Sequence, residues 1–137
     1  INSRLDEIQA AVLSARLDFL PRWTDRRRAL GAMYRSALAG AAVIVPPELD
    51  RGHVYHLMAV RSTSRDGLRA HLAGAGIETL VHYPLPIPRQ PALAAESPAA
   101  CPVADRVRAE IPPLPLYPSM PDEHVAEVAR IVGEYSG

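Results

Sequence analysis

The stretch best suited to handling a ligand is His82-Tyr83-Pro84. An imidazole and a phenol stand side by side where an expected strand ends and a long loop begins. That is the usual place for side chains aimed at a ligand. The plainer reading is a tyrosine whose ring packs while its hydroxyl stays wet. Asn2 is the other residue of interest. At a helix start its amide caps the first turn, and the same N-terminus suits a phosphate; the two readings are compatible. Tyr117-Pro118 is a similar strand-end pair and reads as structural.

No stand-alone catalytic set accompanies these residues. The five histidines are His53, His56, His71, His82 and His124, and none pair at the i, i+4 spacing of a metalloprotease helix. His53 and His56, three apart on an expected strand, point to opposite faces. No metal site and no catalytic residue is therefore expected on this chain. All fifteen basic residues are arginine, a bias read as a GC-rich coding sequence. It has a chemical consequence. A Schiff base to a carbonyl cofactor needs a lysine amine, and the chain has none.

Composition narrows the remaining classes. The 137 residues suit one domain, and 48% are apolar, with aromatics at only 5%. The core must be built from Leu, Val, Ile and Ala. Net charge is zero, which disfavours nucleic acid. The run Arg26, Arg27 and Arg28 is read as a solvated helix face. The single cysteine, Cys101, excludes an internal disulfide. No apolar run approaches the roughly 18 residues of a membrane span, and no secretory leader is visible. Ile1 opens directly in a helix-start pattern, so the chain is read as a piece of a longer cytoplasmic protein.

The elements that must hold these residues follow from periodicity. Leu5, Ile8, Val12, Ala15 and Phe19 form a helical stripe. Asn2 or Ser3 would cap that helix, and Pro21 would interrupt or kink it. A second helix carries Trp23, Leu30, Met33 or Tyr34, and Leu38. His53 to Val60 is apolar on both alternating sets, as in a strand covered on two faces. Ser64 would cap a third helix bearing Leu68 and Leu72, stopped by Gly74 and Gly76. Ile77 to Tyr83 reads as a second strand, and the proline-rich residues 84–102 as a long loop. A short helix over Val103 to Glu110, an extended edge segment at Ile111 to Tyr117 and a last helix from Pro121 complete the order. The class is α/β, with a small mixed or antiparallel sheet and a long helical segment leading in.

Six stretches, in order, resemble the DegT/DnrJ/EryC1/StrS family of sugar aminotransferases. They are NSRLDEIQAAVL (2–13), RRRALGAMY (26–34), HVYHLMAVR (53–61), RDGLRAHLAGAGIET (65–79), HYPLP (82–86) and LPLYPSM (114–120). The resemblance implies the small C-terminal domain of a fold-type-I pyridoxal phosphate (PLP) enzyme. Residues 1–42 would be the interdomain, dimer-facing helical segment and 43–137 the small domain. The PLP and its lysine would belong to an N-terminal domain absent from this chain. The active unit would be a homodimer using a nucleotide sugar and glutamate. The resemblance also assigns roles to residues. Asn2 would reach the PLP phosphate of the other subunit, and Arg4 would help orient the sugar nucleotide. His82 and Tyr83 would face the substrate. Family members usually carry a second histidine where this chain has Pro88. Two alternatives within this reading are a non-catalytic dimerisation module and a PLP-dependent sugar dehydratase.

Overall fold

The computed structural model describes residues 6–96 and 99–136; Asn2, Ser3 and Arg4 lie outside them. Helix α1 spans Glu7–Leu17 and α2 spans Leu20–Ala37. The break comes where Pro21 demands it. Proline is tolerated in the first turn of α2, but in a continuous helix its ring would clash with the Leu17 carbonyl. Strand β1 (Met58–Ala59), α3 (Arg65–Gly74), α4 (Pro102–Glu110), β2 (Pro113–Leu114) and α5 (Asp122–Gly133) follow. Between α3 and α4 lie two 3-10 turns, Ile87–Arg89 and Pro91–Glu96. The expected α/β class is present. Its sheet is antiparallel and has two strands, with Met58 opposite Leu114 and Ala59 opposite Pro113.

The core lies between α2, α3, α5 and the inner face of the sheet. Leu30, Tyr34 and Leu38 from the α2 stripe meet Met58, Val60, Leu68 and Leu72. The α5 stripe closes it with Val125, Val128 and Val132, as its periodicity predicts. Tyr34 is fully buried, and its hydroxyl donates to the Pro115 carbonyl at 2.9 Å. Burial, helped by nearby Tyr117, pushes that hydroxyl well above the ordinary phenol range, so it remains a donor. Helix α1 contributes no buried residue; Ile8 is 80% exposed, and Val12 and Leu17 are also open. Ser64 sits at the N-cap position of α3 without a side-chain cap bond, and Gly76, at φ +78°, ends the turn that follows α3.

The N-cap of α1 is Asp6, not the expected Asn2 or Ser3, and two larger expectations are also corrected. The first concerns Arg26 to Arg28, which are not a solvated face. Arg26 donates to the Met120 carbonyl at 2.5 Å and pairs with Asp122 at 2.6 Å. Arg27 donates to the carbonyls of Tyr55 (2.9 Å), His56 (3.2 Å) and Leu116 (3.3 Å). Arg28 donates to the His53 carbonyl at 3.1 Å. Each guanidinium satisfies acceptors that would otherwise need a strand partner.

The second correction concerns the strands, and it follows from the first. Only Met58–Ala59 of the expected strand His53 to Val60 joins the ladder. Carbonyls 53, 55 and 56 are already taken by arginines. Tyr55 adopts φ +48°, which breaks the pleat, and its N–H is accepted by His53 Nδ1 at 2.9 Å. The expected strand Ile77 to Tyr83 forms no ladder either. Its Ile77 N–H turns back to the Leu72 carbonyl at 2.9 Å, and Arg69 holds both the hydroxyl and the carbonyl of Thr79.

Tyr55 explains a glycine inside α2. A Cβ on Gly31 would lie 2.6 Å from the buried Tyr55 ring. Gly31→Ala is therefore expected to destabilise the protein by about 1–3 kcal/mol through overpacking, against the usual gain from replacing a helical glycine. Arg27→Ala is expected to cost about 2–3 kcal/mol, because part-buried carbonyls lose a charged donor. Arg27→Lys should recover only part of this, since an ammonium lacks the planar fork. Urea unfolding of the variants checks all three values.

Candidate functional site

The outer face of β1 carries the second half of the expected alternation. Leu57 and Ala59 point away from the core and floor a cavity of about 290 Å³. Val81, His82 and Tyr83 form one wall, and Ala104, Val107 and Arg108 of α4 form the other. Ile111 and Pro113, leading into β2, close its base. Two of the four sequence-predicted site residues, His82 and Tyr83, are thus brought together at a cavity mouth. Asn2 and Arg4 fall outside the described residues.

His82 and Tyr83 are placed by what holds the chain on either side. Upstream, the Arg69 grip on Thr79 directs the segment across β1. Downstream, the prolines allow only the short 3-10 turns. The two rings lie 6.3 Å apart, tilted by 40°. Among the described residues neither side chain has a hydrogen-bond partner, and Tyr83 is 80% exposed. The packed-ring reading of Tyr83 is therefore not what the structure contains. An imidazole and a phenol free at the rim of an apolar cavity can grip a polar ligand whose less polar part enters the hollow.

Sequence reasoning missed the polar group beneath this rim. Arg89 Nη2 donates to Asp105 Oδ2 at 3.0 Å, and Arg108 Nη1 donates to the Pro84 carbonyl at 3.2 Å. Asp105 and Arg108 are an i, i+3 pair on α4, 3.6 Å apart. That spacing is legible in the sequence; the partners in the proline loop are not. The hydrogen bond from Arg89 holds the Asp105 carboxyl below the ordinary aspartate range, and Arg108 adds to the effect. Pro88 lies within the turn Ile87–Arg89 and presents no titratable group there.

A larger hollow, about 690 Å³, opens where α1 and α2 face the loops and is lined by Arg16, Trp23, Arg27 and His56, among others. The Arg16 guanidinium lies over the Trp23 ring at 5.2 Å. Among the described residues, neither His82 nor Tyr83 lines it. Among the described residues no cluster of His, Cys, Asp or Glu could hold a metal ion, and no helix is long and apolar enough to cross a membrane. Nor do the described residues by themselves fit PLP. The chain has no lysine amine for its aldehyde, and the expected phosphate contact, Asn2, lies outside them.

This architecture is that of the C-terminal part of an aminotransferase. The chain superposes on the structure of Streptomyces venezuelae DesV, solved in complex with a ketimine intermediate, with a TM-score of 0.90 and 42% identity over 97% of this chain. It belongs to the DegT/DnrJ/EryC1/StrS aminotransferase family, whose family model matches residues 1–133. It is 43% identical, over 98% of its length, to the dTDP-3-amino-3,4,6-trideoxy-alpha-D-glucose transaminase of S. venezuelae. It is 36% identical, again over 98%, to the dTDP-3-amino-3,6-dideoxy-alpha-D-galactopyranose transaminase of Aneurinibacillus thermoaerophilus. The chain spans 37% of the first of these relatives, 38% of the second and 37% of the DesV chain.

The depressed carboxyl fixes the sign of a pH effect. An aspartate whose folded pKa is lowered stabilises the fold above its unfolded value of about 3.9, and that contribution is lost as pH falls through the folded value. Titration of the Asp105 carboxyl by carbon-13 NMR is expected to show a midpoint below about 3.9 that moves upward, toward that value, in Arg89→Gln.

Proposed function

We propose that this chain is the C-terminal, substrate-side part of a PLP-dependent aminotransferase. The enzyme moves an amino group from glutamate to a keto group on a nucleotide-linked deoxysugar. One observation carries the reading. A chain 43% identical over nearly its whole length to a dTDP-sugar transaminase places an unpaired imidazole and phenol at the mouth of an apolar cavity. A deoxysugar offers both chemistries, hydroxyls for the rim and a deoxygenated, less polar edge for the hollow.

His82 and Tyr83 bind and orient the sugar in this reading, and Arg4 assists at the nucleotide. PLP supplies the electron sink when bound. Its lysine is provided by a part of the protein outside this chain, since no lysine is present here. Asn2 contacts the cofactor phosphate across a homodimer. Residues 1–42 form the segment between domains and 43–137 the small domain; the fully unburied α1 supports a partner for the first of these. The setting is cytoplasmic.

The test uses the full-length protein with PLP, glutamate and a nucleotide-linked keto-deoxysugar. Formation of 2-oxoglutarate and aminosugar in equal amounts is the expected outcome. Loss of a sugar hydroxyl without consumption of glutamate would assign a dehydratase instead. Neither reaction, with a stable dimer, would leave a non-catalytic module. This chain alone, mixed with PLP, is expected to show no absorbance of lysine-bound cofactor.

A further inference from the structure

Resting on the reading of His82 and Tyr83 as substrate-side residues, we propose that Arg89, Asp105 and Arg108 are the positioning residues that hold them there. The loop they control has little else to hold it. Residues 82–96 pair with no strand, and their prolines remove backbone donors. Among the described residues, the hydrogen bonds that join this loop to the rest of the chain both run to α4.

These bonds close a ring. Arg108 holds the Pro84 carbonyl, one residue beyond Tyr83. Asp105 holds the Arg89 guanidinium. The arc between the two anchors is itself stiffened, because the Arg89 N–H donates to the Pro86 carbonyl at 2.8 Å. An isolated surface ion pair contributes little. Here both ends of a short arc are fixed on one helix, so the arc and the two rings before it are placed together.

The α4 pair divides its polar atoms between its own ion pair and the loop. Asp105 Oδ1 and Arg108 Nε are buried and have no hydrogen-bond partner. They form an ion pair 3.6 Å apart across one turn of α4. Each side chain engages the loop through its other polar atom, Asp105 Oδ2 with Arg89 and Arg108 Nη1 with the Pro84 carbonyl.

The test uses the full-length protein with Asp105→Asn, Asp105→Glu and Arg89→Gln. In Asp105→Asn, hydrogen exchange at the bonded amides of residues 82–90, those of Arg89 and Gln90, is expected to quicken about tenfold while α5 amides are unchanged. The KM for the nucleotide sugar is expected to rise about tenfold, with kcat within about twofold and the KM for glutamate unchanged. Asp105→Glu, which keeps the charge, should restore part of both effects. Arg89→Gln changes a largely exposed side chain and decides the matter if Asp105→Asn loosens α5 as well. Unchanged exchange at these two amides in Arg89→Gln overturns the proposal. Faster exchange with an unchanged sugar-nucleotide KM also overturns it, because the ring would then tether without positioning. A wild-type protein that transfers no amino group to a nucleotide sugar would instead overturn the functional reading, and exchange at the same two amides would still decide the tether.

Discussion

The rest of the structure depends on a row of guanidinium groups along α2 that takes the place of a sheet. Among the described residues there is one two-residue antiparallel pairing and one isolated bridge, between Ile44 and Arg61. The chain's connecting segments still carry carbonyls that need donors. Arg26, Arg27, Arg28 and Arg35 meet that need, reaching the carbonyls of Met120, of Tyr55, His56 and Leu116, of His53, and of Pro46. A single helix thus holds segments from opposite ends of the domain. Arginine suits this work because one planar group carries several donors and keeps its charge at any working pH.

The clamp and the core act on the same loop from two sides. Arg27 and Arg28 fix residues 53–56 from outside, while the Tyr55 ring packs against Gly31. The Tyr55 hydroxyl meets Glu48 and Arg35, which joins the following loop to the same point. Burial and the Glu48 contact raise its pKa, so it stays protonated. The positive φ at Tyr55 costs energy for a bulky residue. It persists because ring, hydroxyl and carbonyl are each held separately. The consequence reaches the cavity, since only after this kink does the chain straighten enough to give Leu57 and Ala59 to its floor.

The surface is unevenly covered. One side is closed, with α2, α3 and α5 covering the core. Two regions stay open: α1, whose apolar residues are unburied, and the proline loop, with Tyr83, Leu85 and Ile87 exposed. A soluble monomer seldom leaves this much apolar area bare.

The sequence by itself determined the helices and the family. The stripes of α2 and α5, the break at Pro21, the stop at Gly76 and the short helix before Glu110 are all local in origin, set by side-chain period and backbone restriction. The His82-Tyr83 pair was visible as well, because it ends an apolar run and begins a proline-rich one. The strands were misjudged for a physical reason. Of the alternating set Val54, His56, Met58 and Val60, only Met58 and Val60 are buried, while Tyr55 of the opposite set is buried too, so the alternation holds only beyond the kink at Tyr55. It does not say whether the carbonyls find a neighbouring strand or a guanidinium from 25 to 29 residues away. The same limit applies to Arg89 and Asp105, 16 residues apart and joined only once the loop has folded onto α4. Periodicity records burial; which distant group satisfies a given polar atom is decided by the tertiary structure.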